Sequence, residues 1–193
     1  MEEVSLKYLE VQITDSCNLN CKGCSHCAGI VKGQQHVPLE VFEKDLVRLK
    51  ELIPDIEKIR ILGGEPFLNP RLTEYVRFAR SVYKESDIRI TTNGTLILSK
   101  DKEFFEELKA CRIGLDISVY PPTHKALDRI EELLDSHGIA YKCTQKIEKF
   151  AKRINLAGDS DMEEAFDSCN SNMCNFLRKG VLSPCPAPVI VEW

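Results

Sequence analysis

Four cysteines fall within eleven residues of this chain, in the stretch "CNLNCKGCSHC" from Cys17 to Cys27. Clustered thiols hold a zinc ion, an iron–sulfur cluster or one another. Residues two or three apart turn readily toward one metal centre, whereas a disulfide between them strains the short backbone that joins them. The opening residues "MEEVSLKYLE" carry neither a basic n-region nor an apolar h-region. No signal peptide is therefore expected, and the protein is expected to be cytoplasmic, where thiols stay reduced. That leaves the metal readings. Three thiolates spaced Cys17-x3-Cys21-x2-Cys24 can hold three irons of a cubane and leave the fourth open. Zinc sites usually pair two CxxC-like knuckles, and a bacterial ferredoxin spaces its cysteines x2, x2, x3 before a proline. Cys27 is extra to the spacing and reads as a small buried hydrophobe or a neighbouring thiol rather than a fourth ligand.

Other residues suited to chemistry stand at regular intervals downstream. "GGEP" spans Gly63 to Pro66, "TNG" spans Thr92 to Gly94, and Ser118 precedes "YPPTH". The glycines would let backbone come close to a ligand, and Glu65 could accept hydrogen bonds from a cationic amine. A second group of thiols, Cys169, Cys174 and Cys185, lies in "CNSNMCNFLRKGVLSPCPAP". Cys111 and Cys143 sit in helix-end and strand contexts and read as core residues.

These stretches are positioned by an alternation of strands and helices. Strands are predicted over "YLEVQIT" (8–14), 56–62, 87–92, 113–119 and 139–143, and helices from about Pro38 to Ile53, over 71–83, 100–111 and 124–138. Repeated β-α units of this kind imply a parallel α/β sheet with right-handed crossovers. In such folds the loops after the strands' carboxyl ends form the ligand site, and the cysteine loop, "GGEP", "TNG" and Ser118 all fall there. Along the strands one face carries Leu9, Val11, Ile13, Ile59, Ile61, Ile88, Ile90, Ile113, Leu115 and Ile117. The other carries Glu10, Gln12, Arg60, Arg89, Asp116, Ser118 and Lys142. A doubly wound sheet would be apolar on both faces. The fold class expected is therefore an α/β partial barrel of the TIM type, an open parallel sheet with helices outside and a polar lumen. The lumen charges either pair with one another or, in the case of Asp116 and Lys142, contact a substrate. Residues 1–145 are read as this core and 146–193 as a cysteine-containing C-terminal extension on the same domain, with a strand or hairpin in "GVLSPCPAPVIVEW".

Composition fits one folded domain. The chain has 193 residues, 43% hydrophobic and 29% charged, with a net charge of −4. That charge gives no electrostatic reason to expect nucleic acid or an anionic membrane as partner, and no run of eighteen apolar residues suggests a membrane span.

Cys-x3-Cys-x2-Cys after the first strand, with "GGEP" after the second, resembles the radical S-adenosylmethionine (radical SAM) superfamily over roughly residues 7–144. The resemblance implies an enzyme whose [4Fe-4S] cluster is held by Cys17, Cys21 and Cys24, with the amine and carboxylate of S-adenosylmethionine on the open iron. It assigns Gly63, Gly64 and Glu65 to the methionyl amine, Asn93 to the third-strand motif, and Ser118 to a position near the ribose or carboxylate. It further implies reductive cleavage to a 5′-deoxyadenosyl radical that abstracts hydrogen from a peptide or small polar substrate. A low-potential donor of flavodoxin or ferredoxin type would supply the electron, and no acid–base pair is expected at the cofactor. Cys169, Cys174 and Cys185 resemble the ligands of a second, auxiliary iron–sulfur cluster, with structural zinc or idle thiols as alternatives. Against the family pattern, the residue before the third cysteine is Gly23 rather than an aromatic one that lies against the adenine, so adenine packing must come from elsewhere, such as His26 or nearby apolar residues. The fifth strand lacks a glycine-rich motif, and a sixth β-α unit is not evident. The alternative reading is an iron–sulfur or zinc module, or an electron carrier, without S-adenosylmethionine cleavage.

Overall fold

The computed structural model describes residues 4–29, 35–150, 155, 157–169 and 174–190. Seven strands, β1 (Ser5–Thr14), β2 (Asp55–Gly63), β3 (Asp87–Thr92), β4 (Gly114–Ile117), β5 (Tyr141–Cys143), β6 (Phe176–Arg178) and β7 (Val181–Ser183), form one sheet in the order β5-β4-β3-β2-β1-β6-β7. The first five are parallel to their neighbours. Between them run α1 (Leu39–Leu52), α2 (Leu72–Val82), α3 (Lys102–Ala110), α4 (Pro121–His124) and α5 (Leu127–His137).

Each helix buries the apolar positions spaced three and four apart. These are Leu39, Phe42, Leu46 and Leu49 in α1, and Leu72, Tyr75, Val76 and Ala79 in α2. They join Leu9, Val11, Ile13, Ile59, Ile61, Ile88, Ile90, Leu115 and Ile117 of the strands in one core. The register sets these residues side by side: Ile61 opposes Val11 and Ile90, and Ile90 opposes Leu115. All the helix-facing strand residues are β-branched or leucine, which suits a covered sheet face. Gly138 closes α5 in the left-handed conformation, as expected from its place after His137. The single helix expected over 124–138 is two elements, because Pro121 and Pro122 open a separate turn and the chain breaks at Lys125 and Ala126.

The opposite face is polar near β2, β3 and β4. Arg60 reaches Asp116 at 2.5 Å and Asp87 at 3.1 Å, and Arg89 reaches Asp87 at 3.1 Å and Asp116 at 3.4 Å. These charges pair with one another. Asp116 is therefore already held by two guanidinium groups, and Lys142, beside it in the register of β4 and β5, is exposed.

The C-terminal segment adds what its sequence only suggested. β6 lies parallel to β1 on the edge away from β5, and β7 turns back antiparallel to β6. Lys179 and Gly180 both have positive φ at this two-residue turn, the conformation of a type I′ hairpin. Phe176, with Cys174 and Ile190 of the C-terminal segment and Leu62 of β2, makes a second, smaller apolar cluster. A short helix α6 (Met162–Asp167) precedes the hairpin and α7 (Ala187–Ile190) follows it.

Arg60 is nearly buried and faces two carboxylates, so its removal leaves two negative charges facing each other without it. Arg60→Ala is expected to cost roughly 3 kcal/mol at neutral pH, read from urea unfolding. Burial alone would raise the Asp87 pKa, but Arg60 and Arg89 hold it below its ordinary value of 3.8. A depressed carboxyl stabilises the fold above its ordinary value and loses that contribution as pH falls through the folded one. The gap between wild type and Arg60→Ala should therefore narrow below about pH 4. A variant with an unchanged urea midpoint at pH 7 would show that the network adds nothing.

Candidate active site

The ends of β1 and β2 are joined by backbone bonds. Gly64 N–H donates to the Thr14 carbonyl at 2.9 Å, and Glu65 N–H donates to the Ser16 carbonyl at 2.7 Å. The approach is close enough to exclude side chains. A Cβ on Gly63 would lie 2.1 Å from the Thr14 carbonyl oxygen, and one on Gly64 2.2 Å from that of Ser16. Gly63 also has a φ of 153°. The close approach that these glycines permit is thus to the protein's own neighbouring strand end.

Glu65 is fully buried, with 0% of its surface exposed. One carboxylate oxygen accepts from Phe67 N–H at 3.0 Å and from the Thr92 hydroxyl at 2.7 Å, and the other accepts from Asn93 N–H at 2.8 Å. Burial raises its pKa, and the bonds from Thr92, Asn93 and Phe67, with Lys100 nearby, pull it back. The sequence suggested that this carboxylate would meet a ligand amine. In the folded protein three protein donors engage it, and its visible role is to tie the loop after β2 to the loop after β3.

Asn93 continues the chain of contacts toward the cysteines. Its side-chain NH2 donates to the Asn18 side-chain Oδ1 at 2.8 Å, and its own Oδ1 accepts from Thr95 N–H at 3.0 Å. Asn18 in turn donates to the Thr95 hydroxyl at 2.8 Å. Thr123 donates its hydroxyl to the Asn93 carbonyl. Ser118 N–H donates to the Thr92 carbonyl at 2.9 Å, setting Ser118 beside the third strand end. The positions expected from sequence, Gly63, Gly64, Glu65, Asn93 and Ser118, thus lie on adjoining strand ends. Asn18 and Thr95 were missed, and Thr92 and Thr123 stood inside "TNG" and "YPPTH" with no role assigned. Of these, Asn18 had a signal, since it directly follows Cys17.

In the cysteine loop, Cys24 N–H donates to the Cys21 carbonyl at 3.2 Å and Cys27 N–H to that of Cys24 at 3.1 Å, two successive turns. Cys17, Cys21 and Cys24 are all partly exposed. The Cys17 thiol accepts from Leu19 N–H at 3.4 Å. Burial raises the Cys17 pKa, Leu19 lowers it, and the charges of Glu65, Cys24 and Cys21 raise it further; the three thiols lie within electrostatic reach of one another. Among the described residues, no three His, Cys, Asp or Glu side chains converge closely enough to hold one metal ion. A cubane makes a different demand, with each thiol on an iron of its own, and three mutually sensing thiols in one loop supply that donor chemistry. Cys27, with φ 52°, packs beside the second apolar cluster. His26 is turned toward β1 and β6: its Nδ1 lies 3.1 Å from the Gln12 Oε1 and its ring 5.8 Å from that of Phe176.

Cys174 is buried, and Cys169 and Cys185 are exposed. The Cys174 pKa is pushed far up by burial first, then by the charge of Glu10 and a hydrogen bond to it, then by Cys185 and Cys169. Cys174 thus lies within electrostatic reach of Glu10, Cys185 and Cys169, without the three thiols converging closely enough to share one ion.

The family model described as the Radical SAM superfamily matches residues 11–160. A curated relative, the GTP 3',8-cyclase of Alkaliphilus oremlandii, is 32% identical over 126 residues, which are 64% of this chain and 39% of the relative. The chain thus spans about two-fifths of that relative's length. Among solved structures, BtrN in complex with AdoMet and 2-DOIA superposes with a TM-score of 0.65 at 16% identity, over 94% of this chain and 73% of that one. Streptococcus suis SuiB bound to its precursor peptide SuiA gives 0.55 at 18% identity, over 73% of this chain and 33% of that one. At these identities the two structures support the fold alone, an open, mostly parallel α/β sheet with helices around it.

Removing the Glu65 carboxylate would strand a hydroxyl and two N–H groups in a buried loop junction. Glu65→Ala is expected to lower the melting temperature by roughly 6–12 °C, from about 3 kcal/mol of unpaired donors. Glu65→Gln should lose less, because its single amide oxygen still accepts from some of them. Differential scanning calorimetry decides: a melting point within error of wild type for Glu65→Ala would sink the clamp role.

Proposed function

Because the chain belongs to the radical SAM superfamily, we propose that it is an enzyme in which Cys17, Cys21 and Cys24 hold a [4Fe-4S] cluster that binds S-adenosylmethionine. When bound, this pair supplies one-electron cleavage to methionine and a 5′-deoxyadenosyl radical, which abstracts hydrogen from a substrate. A low-potential external donor of flavodoxin or ferredoxin type is needed, since cluster potentials span roughly −700 to +450 mV and this chemistry uses the low end. The observation that carries the reading is the pinning of the cysteine loop to the other strand ends, through Thr14, Ser16 and Asn18, beside Gly63, Gly64 and Asn93.

The chain's own residues bind, orient and shield. The strand end at Gly63 and Gly64 would receive the methionyl amine. Glu65 would act at one remove, by fixing the loops on which Gly64 and Asn93 stand. Asn93 and Ser118 would border the remainder of the cofactor. No side chain is assigned a proton transfer at the cofactor, because hydrogen-atom abstraction asks for position and exclusion of water.

For the substrate we favour a small polar molecule. The support is that both a relative named for GTP and a neighbour holding 2-DOIA have ligands of that kind. A peptide is the second reading, supported by SuiB and its peptide. Cys169, Cys174 and Cys185 are assigned to a second iron–sulfur cluster, on the grounds that Cys174 lies within electrostatic reach of the other two.

Anaerobic reconstitution with iron and sulfide, followed by dithionite and S-adenosylmethionine, is expected to yield 5′-deoxyadenosine. The Cys17, Cys21 and Cys24 triple alanine variant should yield none and should bind roughly four fewer irons per chain. Replacing Cys169, Cys174 and Cys185 together should remove a separate complement of iron. A wild-type protein that takes up iron yet releases no 5′-deoxyadenosine would be a metal module or electron carrier instead.

A further inference from the structure

After β5 the chain does not leave the sheet. Thr144 N–H donates to the Ile117 carbonyl at 2.9 Å, and Ile147 N–H donates to that of Val119 at 2.8 Å. Val119 N–H in turn donates to the Thr144 hydroxyl at 3.0 Å. Residues 144–150 therefore run on past β4, and their last described residue, Phe150, reaches the cysteine loop. A Cβ on Gly23 would lie 2.4 Å from the Phe150 Cβ and 3.0 Å from its Cγ. Phe150 thus sits where a side chain at position 23 would begin, directly before Cys24. On its other side Tyr120 lies with ring centroids 5.7 Å apart and planes 31° from parallel. The Tyr120 phenol is itself within electrostatic reach of Cys21, Cys24 and Cys17.

This aromatic pair is anomalous as mere packing. Phe150 ends a strap of largely polar residues, "TQKIEKF", yet keeps 43% of its surface exposed. It belongs to neither buried apolar cluster. An exposed aromatic face beside a loop of thiols gains by being covered with another flat, apolar surface, and a purine base is such a surface. Gly23 is what admits the ring: any larger residue there would displace it.

We propose that the exposed face of Phe150, seated on Gly23 and flanked by Tyr120, is the surface against which the adenine of S-adenosylmethionine lies. The proposal rests on the reading that the chain binds this cofactor, and it assigns the base to a residue more than a hundred positions from the cysteines.

The test uses the full chain, reconstituted anaerobically, with the dissociation constant for S-adenosylmethionine measured by equilibrium dialysis. Phe150→Ala is expected to weaken binding by roughly tenfold, the usual loss of one base–aromatic stack. Phe150→Trp should bind like wild type. Iron content and melting temperature should not change in either variant, since the ring is not in the core. Pairing Gly23→Phe with Phe150→Gly, which removes the Cβ that a side chain at position 23 would meet, should restore most of the affinity by returning a ring to the same spot from the opposite chain segment. The proposal is overturned if Phe150→Ala binds S-adenosylmethionine as wild type does, or if it loses affinity only together with iron. It is also overturned if its sole effect is on a nucleotide substrate such as GTP. Failure of the wild type itself, iron-loaded, to bind S-adenosylmethionine would instead overturn the function proposed above, and needs no variant to be seen.

Discussion

Glu65 carries the constraint from which the geometry of the strand ends follows. A carboxylate out of water is costly unless its oxygens are met by donors. Here Phe67 N–H, the Thr92 hydroxyl and Asn93 N–H meet them. All three are available only when the loops after β2 and β3 adopt one relative position, so the cost of burial becomes a penalty on every other arrangement. The same β2 loop is bonded through Gly64 and Glu65 N–H groups to the end of β1. Three strand ends are thereby fixed against one another without any regular structure in the loops themselves.

The inner face of the sheet divides into two regions with different physics. Around β2, β3 and β4, Arg60, Asp87, Arg89 and Asp116 neutralise one another. Near β1 and β6 the surface is apolar, with Leu62, Phe176 and Ile190. The C-terminal hairpin is connected to the cysteine loop across this second region. Arg178 bonds Asp15 at 2.7 Å, Asp15 accepts from Gln12 at 2.6 Å, and Gln12 meets His26. A segment distant in sequence therefore touches the loop through side chains that lie on either side of Cys17.

Much of this was legible because it rests on local pattern. The isoleucine alternation of "IRIL" and "IRI" marks β2 and β3, and the three-and-four spacing of α1 marks a helix, whatever surrounds them. Cysteine spacing and "GGEP" likewise survive in one dimension. What could not be read depends on pairing across the chain. β6 has three residues, too few for any period, and exists because Phe176 and Leu177 oppose Glu10 and Val11. The glycines of "GGEP" read as a place of close backbone approach, and only the fold shows that the Thr14 and Ser16 carbonyls are among what they approach. Glu65 read as a ligand group because its three donors lie in other segments or in the turn it caps. For Asp116, pairing and substrate contact look alike in sequence, and only the distance to Arg60 separates them.

The three thiols of the N-terminal loop are not equally constrained, and the difference follows from where their support comes from. Cys17 is flanked by Ser16, whose carbonyl is bonded to Glu65 N–H, and by Asn18, which is bonded to Asn93 and Thr95; its own sulfur accepts from Leu19. Cys21 and Cys24 are held by a turn between them and by the contact of Gly23 with Phe150. One thiol is thus fixed to the strand ends, while two ride on a turn whose Gly23 packs chiefly on the Cβ of Phe150 rather than on its ring. On the function proposed above, the Cys17 sulfur would set where the cluster sits relative to Gly63 and Asn93, and Cys21 and Cys24 would be free to adapt to it without disturbing the junction that Glu65 maintains.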